Sequence, residues 1–189
     1  MIIIYKVIQV IIIILFAFFV SDLRKKNQTT ELLNHNLLLF MKLIYIVPLV
    51  IFLYSVVKVS NILWSDVFGL LLTLFGLFIV IIAKFSLGNN HSWTGYGTFP
   101  DAFCAKGIYS VVRHPMYFGI FLCIGGMWFH VVGHLGWLLI AINLISSLFI
   151  IYVLASSSKK EELHLKNLFG ESYERYKQSV PPVNLFNKG

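Results

Sequence analysis

Of 189 residues, 58% are hydrophobic and 12% charged, where a soluble domain carries roughly 25% charge. With a mean hydropathy of +0.83, the chain is excluded as a water-soluble fold, a disordered polymer or a nucleic-acid reader. The net charge of +7 therefore reads as a membrane-insertion signal with some attraction for anionic lipid. Cys104 and Cys123 are too few for a disulfide framework and lack zinc or redox spacing.

Crossing about 30 Å of hydrocarbon takes about 20 apolar residues in a helix. Five stretches qualify: Ile2–Val20, Leu37–Val57, Ile62–Phe85, Met116–Val132 and Leu135–Ala155. They predict an all-α integral membrane protein with one membrane domain over 1–189, made of three N-terminal helices (1–85) and a core with helical hairpin and tail (86–189). The first stretch is longer than a typical signal h-region and ends without a small-x-small cleavage site, so it reads as a span. The fourth and fifth, separated by Gly133 and His134, predict a tight hairpin.

Short loops rich in Lys and Arg stay cytoplasmic. Arg24, Lys25, Lys26, Lys106, Arg113, Lys159, Lys160, Lys166, Arg175, Lys177 and Lys188 fall on one side of this topology, and Lys58 on the other. Lys6, Lys42 and Lys84 sit near span ends, within snorkelling reach of the interface. The expected arrangement is N-terminus out and C-terminus cytoplasmic. The sizeable polar segments, the loop Ser86–Pro115 and the tail Ser156–Gly189, then share the cytoplasmic face, where chemistry belongs. The loop is rich in Gly and Pro and holds His91, Trp93, Tyr96 and Tyr109. In the tail, Leu165, Leu168, Phe169, Tyr173 and Tyr176 recur at helical spacing, predicting an amphipathic helix interrupted near Gly170 and lying on the membrane or over the loop.

The densest cluster of functional residue types is Gly107-Ile-Tyr-Ser-Val-Val-Arg-His-Pro-Met-Tyr-Phe-Gly119. Proline is tolerated in a first helical turn, so Pro115 is expected to start the fourth span. Arg113 and His114 then stand at its mouth, where free N–H groups, the helix dipole and a guanidinium suit a carboxylate or phosphate. The same residues also suit a positive-inside anchor and an aromatic belt, and periodicity does not choose between these. Glu161 and Glu162 are suited to a ribose hydroxyl, an amine or a cation, and equally to solvated pairing with Lys159, Lys160 and Lys166.

Together the two stretches carry a resemblance. Gly-x-Tyr-x-x-x-Arg-His-Pro-x-Tyr-x-Gly is followed about forty residues later by Glu-Glu-x-x-Leu-x-x-x-Phe-Gly-x-x-Tyr-x-x-Tyr, a pattern that resembles the isoprenylcysteine carboxyl methyltransferase family over about half the chain, from Leu87 onward. The resemblance implies an enzyme using S-adenosylmethionine as cofactor, held by loop and tail on the cytosolic face. Tyr109, His114, Pro115, Met116, Tyr117 and Glu161 would line the cofactor site. Thr94, Asp101, Ala102, Phe103 and Cys104 align with a second cofactor-contacting stretch, though their side chains differ from those usual in the family. Arg113 would orient an anionic group of cofactor or substrate, as the catalytic residue.

Methyl transfer from a sulfonium is an in-line displacement, so the protein mainly aligns the reactants and excludes water. A carboxylate acceptor needs no base, whereas an amine or thiol must lose a proton, a task for His114, Tyr117 or Glu161. No metal is expected, and His130 and His134, four apart at the outer turn, read as interfacial. Where prenylcysteine methyltransferases have an arginine four positions before the first matched glutamate, this chain has Ser157, which removes a carboxylate clamp. The acceptor is expected to be a lipophilic molecule entering from the bilayer, most simply an isoprenylcysteine-like carboxylate. A phospholipid or other N- or S-acceptor is the alternative. Cys123, Gly125, Gly126, Asn143, Ser146 and Ser147 are expected to serve helix packing more than entry. Two other classes stay open: an NADPH-dependent sterol-type reductase with a similar Arg-His-Pro-x-Tyr block, and a non-catalytic transporter or scaffold.

Overall fold

A computed structural model describes residues 1–21, 29–88, 92 and 94–182. Arg24, Lys25, Lys26, His91, Trp93 and Lys188 lie outside these. Helix α1 (Ile2–Val20) buries Tyr5, Gln9, Ile12, Ile13, Phe16 and Val20 along one stripe. Ile3, Ile4, Val7, Ile11 and Ile14 are exposed on its other faces, which is the distribution of a helix bathed in lipid rather than water.

The second span is kinked. Asn34 caps α2 (His35–Ile44) by accepting from the Asn36 amide at 2.9 Å, and α3 (Ile46–Lys58) follows after Tyr45. Pro48 in the first turn of α3 has no N–H to donate back across that junction, which explains the break. Together they make one membrane-length stretch, His35–Lys58.

Helices α4 (Trp64–Leu87) and α5 (Pro115–His134) form the tightest seam of the bundle. Gly69 and Gly76 of α4 face Gly126 and Gly119 of α5. A methyl group on Gly69 would lie 2.5 Å from the Gly126 carbonyl, and one on Gly76 would lie 2.6 Å from the Gly119 carbonyl. Only residues without a Cβ permit that approach. Cys123 is fully buried in the same seam. Ser147 receives the Trp128 indole N–H at 3.4 Å and Ser146 bonds back to the Ile142 carbonyl at 2.9 Å, so the small and polar positions of the hairpin serve packing.

The hairpin turns at Leu135 and Gly136, two residues later than the apolar pattern indicated, because α5 continues through His134. Helix α6 (Trp137–Phe169) has 33 residues, about 50 Å of length, so its last turns stand well beyond a 30 Å hydrocarbon layer. The expected tail helix is thus not a separate element but the continuation of the fifth span. It ends at Gly170, whose φ of 55° is a left-handed conformation available to glycine, and α7 (Glu171–Ser179) leaves in a new direction.

One element departs from the all-helical expectation. Thr29–Glu31 (β1) pairs antiparallel with Tyr96–Thr98 (β2), with Thr30 opposite Gly97. A three-residue pair carries no periodicity to read in sequence. It ties the segment after the first span to the loop after the third. Among the described residues the fold is otherwise helical, with five helical stretches long and apolar enough to cross a membrane.

Candidate functional site

The loop, the N-terminal turn of α5, the far end of α6 and α7 enclose a cavity of about 1020 Å³ including its open mouth. Its order comes from the tail folding back onto the Arg-His-Pro turn. The amides of Arg113 and His114 donate to the carbonyls of Pro181 and Pro182, each at 2.9 Å. The two donors ahead of a helix that starts with proline are therefore satisfied by the tail. The Tyr176 hydroxyl donates to the Tyr109 carbonyl at 2.6 Å, and the His164 ring contacts the Thr98 carbonyl at 2.8 Å.

Adjacent glutamates on α6 face different surroundings, since neighbouring helical residues point about 100° apart. Glu162 is an ion-pair hub. It meets Arg113 Nη2 at 3.2 Å, His114 Nε2 at 3.1 Å and Lys177 Nζ at 3.2 Å, and its side chain is 14% exposed. Arg113, 7% exposed, also donates from Nη1 to the Lys177 carbonyl at 2.8 Å, while its buried Nε has no hydrogen-bond partner among the described residues. Glu161 accepts from the Tyr117 hydroxyl and from Ser157 Oγ, the latter at 2.9 Å, and lies 3.9 Å from His114 Nδ1. The His114 and Tyr117 rings stack with an interplanar angle of 10°. Ser157, fully buried, also accepts from the Gly95 amide at 2.8 Å, so the loop, α5 and α6 are pinned at one point.

Aromatic side chains form much of the rest. Phe103 packs against Phe169, Tyr173 and Tyr176 at ring separations of 5.3 Å. Burial pushes the Tyr109 phenol well up from its ordinary range, helped by nearby Cys104 and Glu161. Burial also raises Tyr173 and Tyr176, with Glu162 adding to the first and Cys104 to the second. All three are neutral hydroxyls at physiological pH.

Ten of the residues singled out in the sequence line this cavity: Thr94, Ala102, Phe103, Cys104, Tyr109, Arg113, His114, Met116, Tyr117 and Glu161. Asp101 and Pro115 do not line it; Asp101 is exposed, and Pro115 is the buried first residue of α5. The cavity also takes Val20 from α1, Tyr96, Gly97, Thr98 and Pro100 from the loop, and His164, Leu165, Tyr173 and Tyr176 from the tail. Of these, the two tyrosines stand in the tail motif and were within reach of sequence reasoning; Val20 carried no signal.

Most of the residues that line this cavity fall in a stretch that matches a known family. A family model described as phospholipid methyltransferase matches residues 64–172, from the start of α4 to the start of α7. The chain belongs to that family. Its members are S-adenosylmethionine-dependent membrane methyltransferases. The chain is 29% identical over 140 residues to the protein-S-isoprenylcysteine O-methyltransferase of Rattus norvegicus, covering 70% of this chain and 45% of the relative. The Homo sapiens protein of the same name gives the same figures, and that of Xenopus laevis is 30% identical over 138 residues, covering 69% and 44%. The chain thus spans less than half the length of these relatives.

Proposed function

We propose that this protein transfers a methyl group from S-adenosylmethionine to a lipophilic acceptor that reaches the cavity from the bilayer, with the loop-and-tail end facing the cytoplasm. The observation that carries the reading is the meeting of Glu161 with Tyr117 and His114, two motifs about forty residues apart brought to one cavity wall.

The residues present fit the cofactor. The cavity offers a carboxylate for an amine or hydroxyls, and aromatic faces for an adenine and a sulfonium. When bound, S-adenosylmethionine supplies an electrophilic methyl group whose C–S bond breaks as the acceptor's bond to carbon forms. The chain's own contribution is alignment and exclusion of water. Glu161 and Tyr117 fix one wall, Phe103, Tyr173 and Tyr176 another, and the docked tail closes the water side.

For the acceptor, we propose an isoprenylcysteine-like carboxylate, supported by the names of the similar relatives. Ser157, at the position of the missing family arginine, is occupied in pinning Gly95 and Glu161, so recognition of the carboxylate would fall to Arg113. A phospholipid amine is the alternative, favoured by the carboxylate Glu161 at the wall. A nicotinamide dinucleotide phosphate fits poorly. Arg113 is the sole Lys or Arg among the described lining residues, one cation against the several phosphate charges of that dinucleotide.

The test is binding and turnover with purified protein in detergent. S-adenosylmethionine is expected to bind and NADPH not, and label from the methyl group to appear on an S-farnesylcysteine acid rather than on phosphatidylethanolamine. Label on the phospholipid alone would transfer the assignment to the amine acceptor. Binding of neither cofactor would overturn the methyltransferase reading.

A further inference from the structure

We infer that Asp66, His130 and His134, with the Tyr5 hydroxyl as fourth donor, form a binding site for a divalent transition metal, Zn²⁺ foremost, at the end of the bundle remote from the cofactor cavity. His130 and His134 are four apart on α5 and so share a face. Asp66 stands in the first turn of α4, where its Oδ2 accepts from the Leu63 amide at 2.7 Å. The glycine seam lets α4 approach closely enough to place that carboxylate between the two imidazoles. Asp66 Oδ1 lies 2.7 Å from His130 Nδ1 and 3.0 Å from His134 Nε2, and Oδ2 lies 2.8 Å from the same His134 nitrogen. One ligand atom from each of the three residues falls within 4.8 Å of the others. Tyr5 of α1 brings its hydroxyl to 3.1 Å from His130 Nδ1, and Gln9 holds that hydroxyl at 2.6 Å.

Charge argues for a cation here. Asp66 is 0% exposed and His130 1%, and among the described residues no Lys or Arg pairs with Asp66. A buried carboxylate needs compensating charge, the more so inside a membrane bundle. Two imidazole nitrogens converge on one carboxylate oxygen, so ligand atoms of metal-binding type from two helices already face one point. With metal–ligand bonds of about 2.0–2.2 Å, tetrahedral ligand atoms stand roughly 3.3 Å apart, so seating the ion requires the two imidazole nitrogens to draw back from the Asp66 carboxylate by roughly 0.3–0.6 Å. Two imidazoles, a carboxylate and a phenol oxygen are a borderline set that suits Zn²⁺. Such an ion would fasten α1, α4 and α5 together. It lies about 24 Å along α5 from His114, so the site does not depend on the methyltransferase reading. Spacing alone could not reveal it, because Asp66 and His130 are 64 residues apart.

Protein purified without a polyhistidine tag, stripped with chelator and titrated with Co²⁺ tests the site. One Co²⁺ per chain is expected, with the intense visible bands of a four-coordinate ion, displaced by Zn²⁺. His134→Gln is expected to weaken Co²⁺ affinity by roughly a hundredfold or more, while His35→Gln leaves it intact. Because Asp66→Asn risks misfolding, His134→Gln is the deciding variant, and an unchanged far-ultraviolet circular dichroism spectrum with a single size-exclusion peak in detergent serves as the control for a folded chain. Stripped, folded wild-type protein that takes up no Co²⁺ or Zn²⁺, or takes up as much as folded His134→Gln, overturns the inference.

Discussion

Glu162→Gln isolates the latch that holds the tail over the cavity. The substitution keeps the shape and one acceptor but removes the negative charge that faces Arg113, His114 and Lys177. Arg113 is 7% exposed, so losing its counter-ion leaves an uncompensated charge in a poorly solvated place. Removing one partner of such a pair costs about 3–5 kcal/mol. The Lys177 contact adds at most about 1 kcal/mol, because that ammonium is 39% exposed. The surviving Arg113 bond to the Lys177 carbonyl and the retained amide acceptor argue for the low end, about 3 kcal/mol, which is roughly a 150-fold shift toward the undocked tail. Hydrogen exchange reads this directly. The amides of Arg113 and His114, bonded to Pro181 and Pro182, are expected to lose protection by about two orders of magnitude, while those of α4 and the middle of α5 keep theirs. Unchanged protection at Arg113 and His114 in the variant would show that the ion-pair hub does not hold the tail, and would refute the reasoning.

Glu161→Gln, one residue away, is expected to leave tail protection intact and to weaken S-adenosylmethionine binding about tenfold or more, measured by calorimetry; normal affinity there and in His114→Ala would remove both from the cofactor wall. Gly126→Val forces a side chain into the space of the Gly69 carbonyl and is expected to destabilise the bundle by about 1–3 kcal/mol, seen as a lower melting temperature in detergent, while Gly136→Val, in open space, has little effect. Burial raises the Tyr109, Tyr173 and Tyr176 phenols, so the folded tail holds these protons more tightly than the unfolded chain does. Their contribution is complete below about pH 10 and is lost as pH rises above that value; an ultraviolet titration should find them un-ionised at pH 10.5 in folded protein and ionised after denaturation.

The spans were legible because hydrocarbon thickness sets a length that apolar runs either meet or do not, and the Arg-His-Pro turn was legible because proline marks a helix start. Glu161 and Glu162 were readable as a pair but not as two roles, since that depends on which face of α6 meets which partner. The continuation of α6 past Ala155 was masked by Ser156-Ser157-Ser158-Lys159-Lys160, which reads as a solvated break although serine tolerates a helix well enough when its neighbours continue it. In the sequence Ser157 reads as the loss of an arginine, and its role in joining Gly95 to Glu161 appears only when loop and helix are brought together. His130 and His134 read as interfacial until Asp66 stood between them.

Because α6 is unbroken from Trp137 to Phe169, the turn that presents Glu161 is carved from the same rod that carries Ile145, Leu148 and Tyr152 on its exposed apolar flank. Trimming away the greasy part to obtain a tractable water-soluble fragment would therefore saw through a wall of the cavity itself. Biochemistry on this protein has to be done in micelles, nanodiscs or vesicles.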